Sequence, residues 1–183
     1  MSLAALERDL LVDRVISERH ALEGYGVSAA LAKRAGLGVL KRNIRLTYSA
    51  RSEVAVSLIV WPEESRLRRS SGNTLRHLAG VTALRLFLGA AAEDWENEGG
   101  ARLARHLPDG YWRRPDVHAG AVWAIEYDAG SYSPPQLLEK GKAFMSAHGY
   151  QVWGVASAAR IRTVEAALSA IGAPRQVHCV PWC

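Results

Sequence analysis

The sequence predicts an α/β protein, and three observations carry the prediction. Residues 73–92 (NTLRHLAGVTALRLFLGAAA) repeat apolar side chains at helical spacing along a broad face. Residues 121–128 (AVWAIEYD) alternate as a strand does. Beyond them, helical and strand patterns take turns to the C-terminus, which is the ordering of an α/β core. A chain of 183 residues suits one domain, or one domain with a small appendage, and 49% hydrophobic residues suffice to build its core.

In chain order, residues 4–22 place Leu6, Leu10, Leu11, Val15 and Ile16 on one helical face. A shorter helix is expected over 27–35, closed by Gly36. Residues 44–50 and 53–61 read as a β-hairpin, because EVAVSLIVW is β-branched and partly alternating. Helices followed by a hairpin outline a small α+β segment compatible with a winged helix, drawn as residues 1–65. The stretch RLRRSSGNTLR, with its serines and glycine, reads as a linker to a second domain at residues 73–183. That domain should hold the helix 73–92, a helical piece near 93–106, and strands near 109–113 and 121–128. A helix at 135–148, a strand at 150–156, a helix near 158–171 and a strand near 175–181 complete it. The outline is α-β-β-α-β-α-β, a mixed sheet flanked by helices.

Composition narrows the function classes. No run of 18 uncharged apolar residues exists, and MSLAALERDLL lacks the shape of a signal peptide. A soluble, cytoplasmic protein without a membrane partner is expected. The cysteines are Cys179 and Cys183, the tight pairs of structural zinc sites are missing, and two reduced thiols are expected. A net charge of +5 and a pI near 9.5 favour a polyanionic partner. Arg66, Arg68, Arg69 and Arg76 form one basic group; Arg102, Arg105, Arg113 and Arg114 form another around HLPDGYW. Each alone reads equally well as solvated surface, and together they suggest a phosphate-facing side. Arg160 opens the helix after VWGVAS, where it can grip a phosphate or simply meet water. Trp123 and Trp153 are expected in the core, and His77 and His148 as packing or hydrogen-bonding residues.

The chemistry centres on the acids. In a strand, Glu126 and Asp128 share a face. A hairpin centred on residues 117–118 sets Asp109 opposite Glu126 and leaves Asp116 at the tip as a turn initiator. Asp109, Glu126 and Asp128 then form one acidic cluster, unfavourable unless a cation neutralises it. Hard oxygen ligands of this kind suit Mg2+ or Mn2+. On the next helix, Lys140 lies nearer than Lys142 to the apolar face of Leu137, Leu138, Gly141 and Phe144, so Lys140 is better placed to fold over the strand ends. A lysine beside a metal-bound carboxylate pair orients a water or stabilises a pentacovalent phosphate. The plain alternative is that Glu126 and Asp128 merely end a strand and begin the turn AGSYSPP.

Taken together, the stretches TLRHLAGVTALRLFL, DWENE, LPDGYW, WAIEYDAGS, LLEKGKAF and VWGVASAARIRTVEAAL resemble the restriction-endonuclease-like superfamily of PD-(D/E)xK nucleases. More narrowly, they resemble the replication-relaxation family of plasmid and mobile-element proteins, over about residues 73–168. The resemblance implies a restriction-endonuclease-like core and DNA as partner. With the strand geometry above, it points to Asp109 and Glu126 as metal-holding, catalytic acids with Asp128 assisting, to Glu98 as a further ligand, and to Lys140, or else Lys142, as the catalytic lysine supplied from the helix. Arg66, Arg68, Arg69, Arg76, Arg113, Arg114 and Arg160 would then meet the DNA. One position departs from the pattern: Asp128 stands where the superfamily's strand usually carries its lysine. Two alternatives follow, a non-catalytic module for DNA binding or replication initiation, and an interaction scaffold without a nucleic-acid role. A homodimer is compatible with all three.

Overall fold

The computed structural model describes residues 2–98, 106–114 and 121–183. Among them the protein is mixed α/β, with seven α-helices and two sheets. Serines start the first three helices. The side chains of Ser2, Ser17 and Ser28 accept from the amides of Ala5, His20 and Leu31, opening α1 (Leu3–Asp13), α2 (Glu18–Tyr25) and α3 (Ala29–Arg34). Between α1 and α2 lies β1 (Val15–Ser17), where one long helix is expected from the sequence. The break falls at Arg14, whose φ of 65° leaves the helical region. The β-branched Val15 and Ile16 pair instead with Val60 and Ile59 of β3 (Val54–Val60). With β2 (Gly38–Ile44) they make an antiparallel sheet of order β1-β3-β2. β2 lies upstream of the expected 44–50, because Gly38, Leu40 and Ile44 supply the buried face while residues 47–50 close into a turn.

The stretch read as a linker contains a short helix, α4 (Ser65–Arg68), and the first turns of α5 (Gly72–Leu88). Ser71 caps α5 and Gly89 ends it in the left-handed conformation. Because α5 is buried on nearly every side, it is a central helix rather than a surface one. One flank meets β1 and β2, and the other lies on β6 (Ala121–Asp128). A Cβ at Gly80 would run into the Tyr127 ring, so a glycine there sets how closely helix and sheet approach.

The helix expected near 93–106 is replaced, over its described part, by a 3-10 turn at Ala92–Asp94 and a strand, β4 (Trp95–Asn97). Trp95 buries its ring and pairs across from Trp112 of β5 (Gly110–Arg114), a cross-strand aromatic contact that favours the strand. After β6 come α6 (Pro134–His148), β7 (Gln151–Val155), α7 (Ala158–Ser169) and β8 (Arg175–Cys179). The second sheet runs β4-β5-β6-β7-β8, antiparallel at its first two junctions and parallel at its last two. α5 covers one face over Ile125, Tyr127 and Val152, while α6 and α7 cover the other over Ala124, Trp153 and Val155. Trp123 and Trp153 are buried as expected, and Cys179 and Cys183 are free thiols. No helix among the described residues is long and apolar enough to cross a membrane.

Candidate functional site

Strands β5 and β6 pair with Gly110 beside Ile125, and one further step brings Asp109 to the level of Glu126. The expected register therefore holds, and the Asp109 amide extends the ladder by donating to Ile125 O at 2.8 Å. Glu126 is wholly buried beneath α6. Its Oε1 accepts from Lys140 Nζ at 2.5 Å and from the Tyr132 hydroxyl at 2.7 Å. Its Oε2 is buried and has no hydrogen-bond partner among the described residues. Burial first, and Asp109 second, push the Glu126 carboxyl up to about 7 against the pull of Lys140 and Tyr132.

Asp109 takes its partners from the α5 side. Its Oδ1 pairs with His77 Nε2 at 2.9 Å, and its Oδ2 accepts from the Tyr127 amide at 2.7 Å. Burial alone would lower the pKa of His77, but the neighbouring Asp109, helped by Glu126, raises it to about 9. Lys140 is aimed by α6, which a capping box of Ser133 and Gln136 and a proline in its first turn hold in place. The ammonium lies 4.9 Å from the centre of the Tyr132 ring and 5.4 Å from that of Phe144. Lys142 is exposed, as the helical angle anticipates.

Asp128 corrects an expectation. It shares the strand face of Glu126, yet its Oδ1 accepts from the amides of Gly130 and Ser131 at 2.7 and 3.0 Å. Its Oδ2 pairs with Arg160 at 2.6 Å. Asp128 thus builds the turn after β6, as the plain reading had it, and its oxygens are not turned toward Asp109. Arg160 is corrected with it: the guanidinium is held by Asp128 and by Tyr132 O, so it is not free to grip a phosphate. Glu98 joins neither carboxylate. Its amide donates to Asp109 O, and its side chain sits beside Tyr111, whose hydroxyl is raised by burial and then by Glu98.

Among the described residues no three His, Cys, Asp or Glu side chains gather as a metal-holding group. The expected set of Glu98, Asp109, Glu126 and Asp128 reduces to the pair Asp109 and Glu126. That pair supplies hard oxygens, one of them buried without a partner. Magnesium is commonly held by one or two carboxylates, with water and phosphate completing its shell, and a pair of carboxylates is donor chemistry of that kind.

The arginines divide. Arg76 lies on the buried flank of α5 and donates to Arg45 O at 3.0 Å, so it is a core residue and not a phosphate contact. Arg113 pairs with Glu96 at 3.2 Å on the surface, and Arg114 sits 4.5 Å from the ring centres of both Trp112 and Trp123. Arg66, Arg68 and Arg69 are exposed. Beside them the fold adds cations that sequence reading passed over: Lys33, Lys41 and Arg42 line a depression with Arg68, and Arg42 donates to Arg68 O at 2.7 Å. Tyr132 also escaped notice; its one signal is an aromatic residue in the turn just after E-x-D. Arg102, Arg105 and Asp116 lie outside the described residues. No family model, curated protein or solved structure matches this chain.

Proposed function

We propose that this chain binds DNA and that Asp109, Glu126 and Lys140 form a metal-dependent phosphodiesterase site. The observation that carries the reading is the 2.5 Å contact of Lys140 with Glu126, a fully buried carboxylate whose second oxygen lacks a partner among the described residues. An orphaned buried carboxylate oxygen is unfavourable, and functional sites are where such groups persist. The order α5-β4-β5-β6-α6-β7, a meander followed by a parallel crossover, supports a restriction-endonuclease-like core. The order from α1 to β3 supports a winged-helix-like unit in front of it.

A magnesium or manganese ion held by Asp109 and Glu126 would act as a Lewis acid on a phosphoryl oxygen. Lys140 favours the ionised form of Glu126 against burial and brings a positive charge to where a phosphate would sit. Tyr132 fixes the orientation of the Glu126 carboxylate, and His77 balances the charge of Asp109. The exposed Arg66, Arg68 and Arg69, with Lys33 and Lys41, supply phosphate contacts.

Supercoiled plasmid incubated with the protein and Mg2+ or Mn2+ should become relaxed or linear, and EDTA should stop the reaction. Asp109→Asn and Glu126→Gln should each slow cleavage at least about 100-fold, with DNA affinity unchanged or raised. Replacing Arg68 and Arg69 together by Ala should flatten the dependence of log affinity on log salt by about 2. A second reading, binding without cleavage, is favoured by Asp128, which pairs with Arg160 at the position where the resembled superfamily carries its lysine. Plasmid that is bound and left intact under both metals selects that reading.

A further inference from the structure

A cavity of about 690 Å3 opens between the N-terminal helices and the five-stranded sheet. His77, Leu78 and Val81 of α5 form one wall, Leu11 and Val12 of α1 another, and Asp109 brings the candidate site into the lining. We propose that this cavity receives one unpaired base of a DNA strand whose backbone passes Asp109. The inference rests on the DNA-binding reading above and names the class of substrate: single-stranded or locally unpaired DNA.

Three features point to a base. The volume falls in the range of sites that take a small, largely buried ligand. The lining mixes apolar side chains with the hydroxyls of Ser70 and Thr74, which can donate to or accept from the edge of a base. The phosphate is left to the exposed Arg66, which also borders the cavity. Leu11, finally, leaves an apolar side chain open to water at 69% exposure beside the cavity, where a flat ring would cover it. A matched duplex keeps its bases stacked inside, so a base enters a concave site only from a single strand or after extrusion.

The test is a set of dissociation constants in EDTA for three DNAs of equal length: a single strand, a matched duplex and a duplex with one unpaired base. The first and third should bind at least about tenfold tighter than the second. Leu78→Trp, which fills the cavity, and Leu11→Gln, at an exposed position that tolerates polarity, should each cut that preference below about threefold. Matched-duplex affinity should stay within about twofold, since the exposed cations are untouched. Equal affinity for all three DNAs overturns the proposal, as does a preference that both variants leave intact. The two readings fail separately. A cavity-dependent preference with no cleavage supports the base site and sinks the nuclease, whereas cleavage of duplex without any preference keeps the nuclease and sinks the base site.

Discussion

Two clusters in this protein are assembled from the same parts, a pair of carboxylates, a tyrosine hydroxyl and cationic side chains, one of which in each case stands on α5. In the first, Arg85 donates to Asp13 at 2.8 and 2.6 Å, to Asp9 at 2.9 Å and to Ala90 O at 2.9 Å. Tyr25 closes the ring by donating to Asp9 at 2.6 Å. None of these side chains has a buried nitrogen or oxygen left without a partner. In the second, Lys140 serves Glu126, His77 serves Asp109, and Glu126 Oε2 is left over. The saturated cluster ties α1 and α2 to α5, and none of its buried polar atoms is left without a partner. The unsaturated one borders a cavity and keeps an acceptor in reserve. Carboxylate content alone therefore says little about function, and the informative quantity is how many hydrogen-bonding positions remain open.

The largest expected effect breaks the saturated cluster. Arg85→Ala would strand Asp9 and Asp13 in apolar surroundings, costing about 3–5 kcal/mol. Thermal melting should show a loss of about 6–20 °C; a loss under about 2 °C would mean that Arg85 is not what neutralises those acids. The next effect has the opposite sign. The folded pKa of Glu126, about 7, lies above its ordinary 4.5, so ionisation opposes folding. Its contribution to stability is complete below pH 4.5 and is lost as pH rises through 7. Glu126→Gln cannot ionise and should be more stable than the parent at pH 8, by about 1–3 kcal/mol, with the gap closing toward pH 4. Denaturant titrations at the two pH values check this, and a variant less stable at pH 8 would remove the strained carboxylate from the comparison.

The smallest effect concerns His77. Its folded pKa of about 9 exceeds 6.5, so its pairing with Asp109 stabilises the protein below pH 6.5 and fades as pH rises through 9. Because 36% of the side chain meets solvent, the difference between the parent and His77→Gln should stay under about 1 kcal/mol. An NMR titration is the sharper probe. Asp109→Asn should bring the His77 pKa from about 9 down to its ordinary value or below, and an unchanged pKa would show that Asp109 is not its partner.

How much of this was legible in the sequence follows the range of the interactions. The β5–β6 register and the choice of Lys140 over Lys142 depend on periodicities of two and 3.6, which a short stretch carries by itself. The break at Arg14 was illegible because Leu6 to Ile16 keep helical spacing; what ends α1 is the pairing of Val15 and Ile16 with a strand more than forty positions away. Arg76 read as surface for the same reason, since the loop whose Arg45 carbonyl it meets comes near only in the fold. The basic depression unites Lys33, Lys41 and Arg42 with Arg68, and no local window holds all four. Position 128 was half legible: the turn that follows it could be read, but its arginine partner comes from α7.

The central position of α5 carries a consequence for how such a protein can be inherited. Thr82 donates to Val15 O at 2.7 Å, and Arg85 is held by Asp13, while Gly80 on the same helix receives the Tyr127 ring. Buried side chains from both sheets meet in one continuous apolar core around this helix. The stretch before α5 looks like a seam, yet a gene fusion or truncation cutting there would bare the flank of α5 that β1 and β2 now cover. The front segment therefore cannot be exchanged as a free module. Severed at that stretch, neither part would keep the core that α5 now completes.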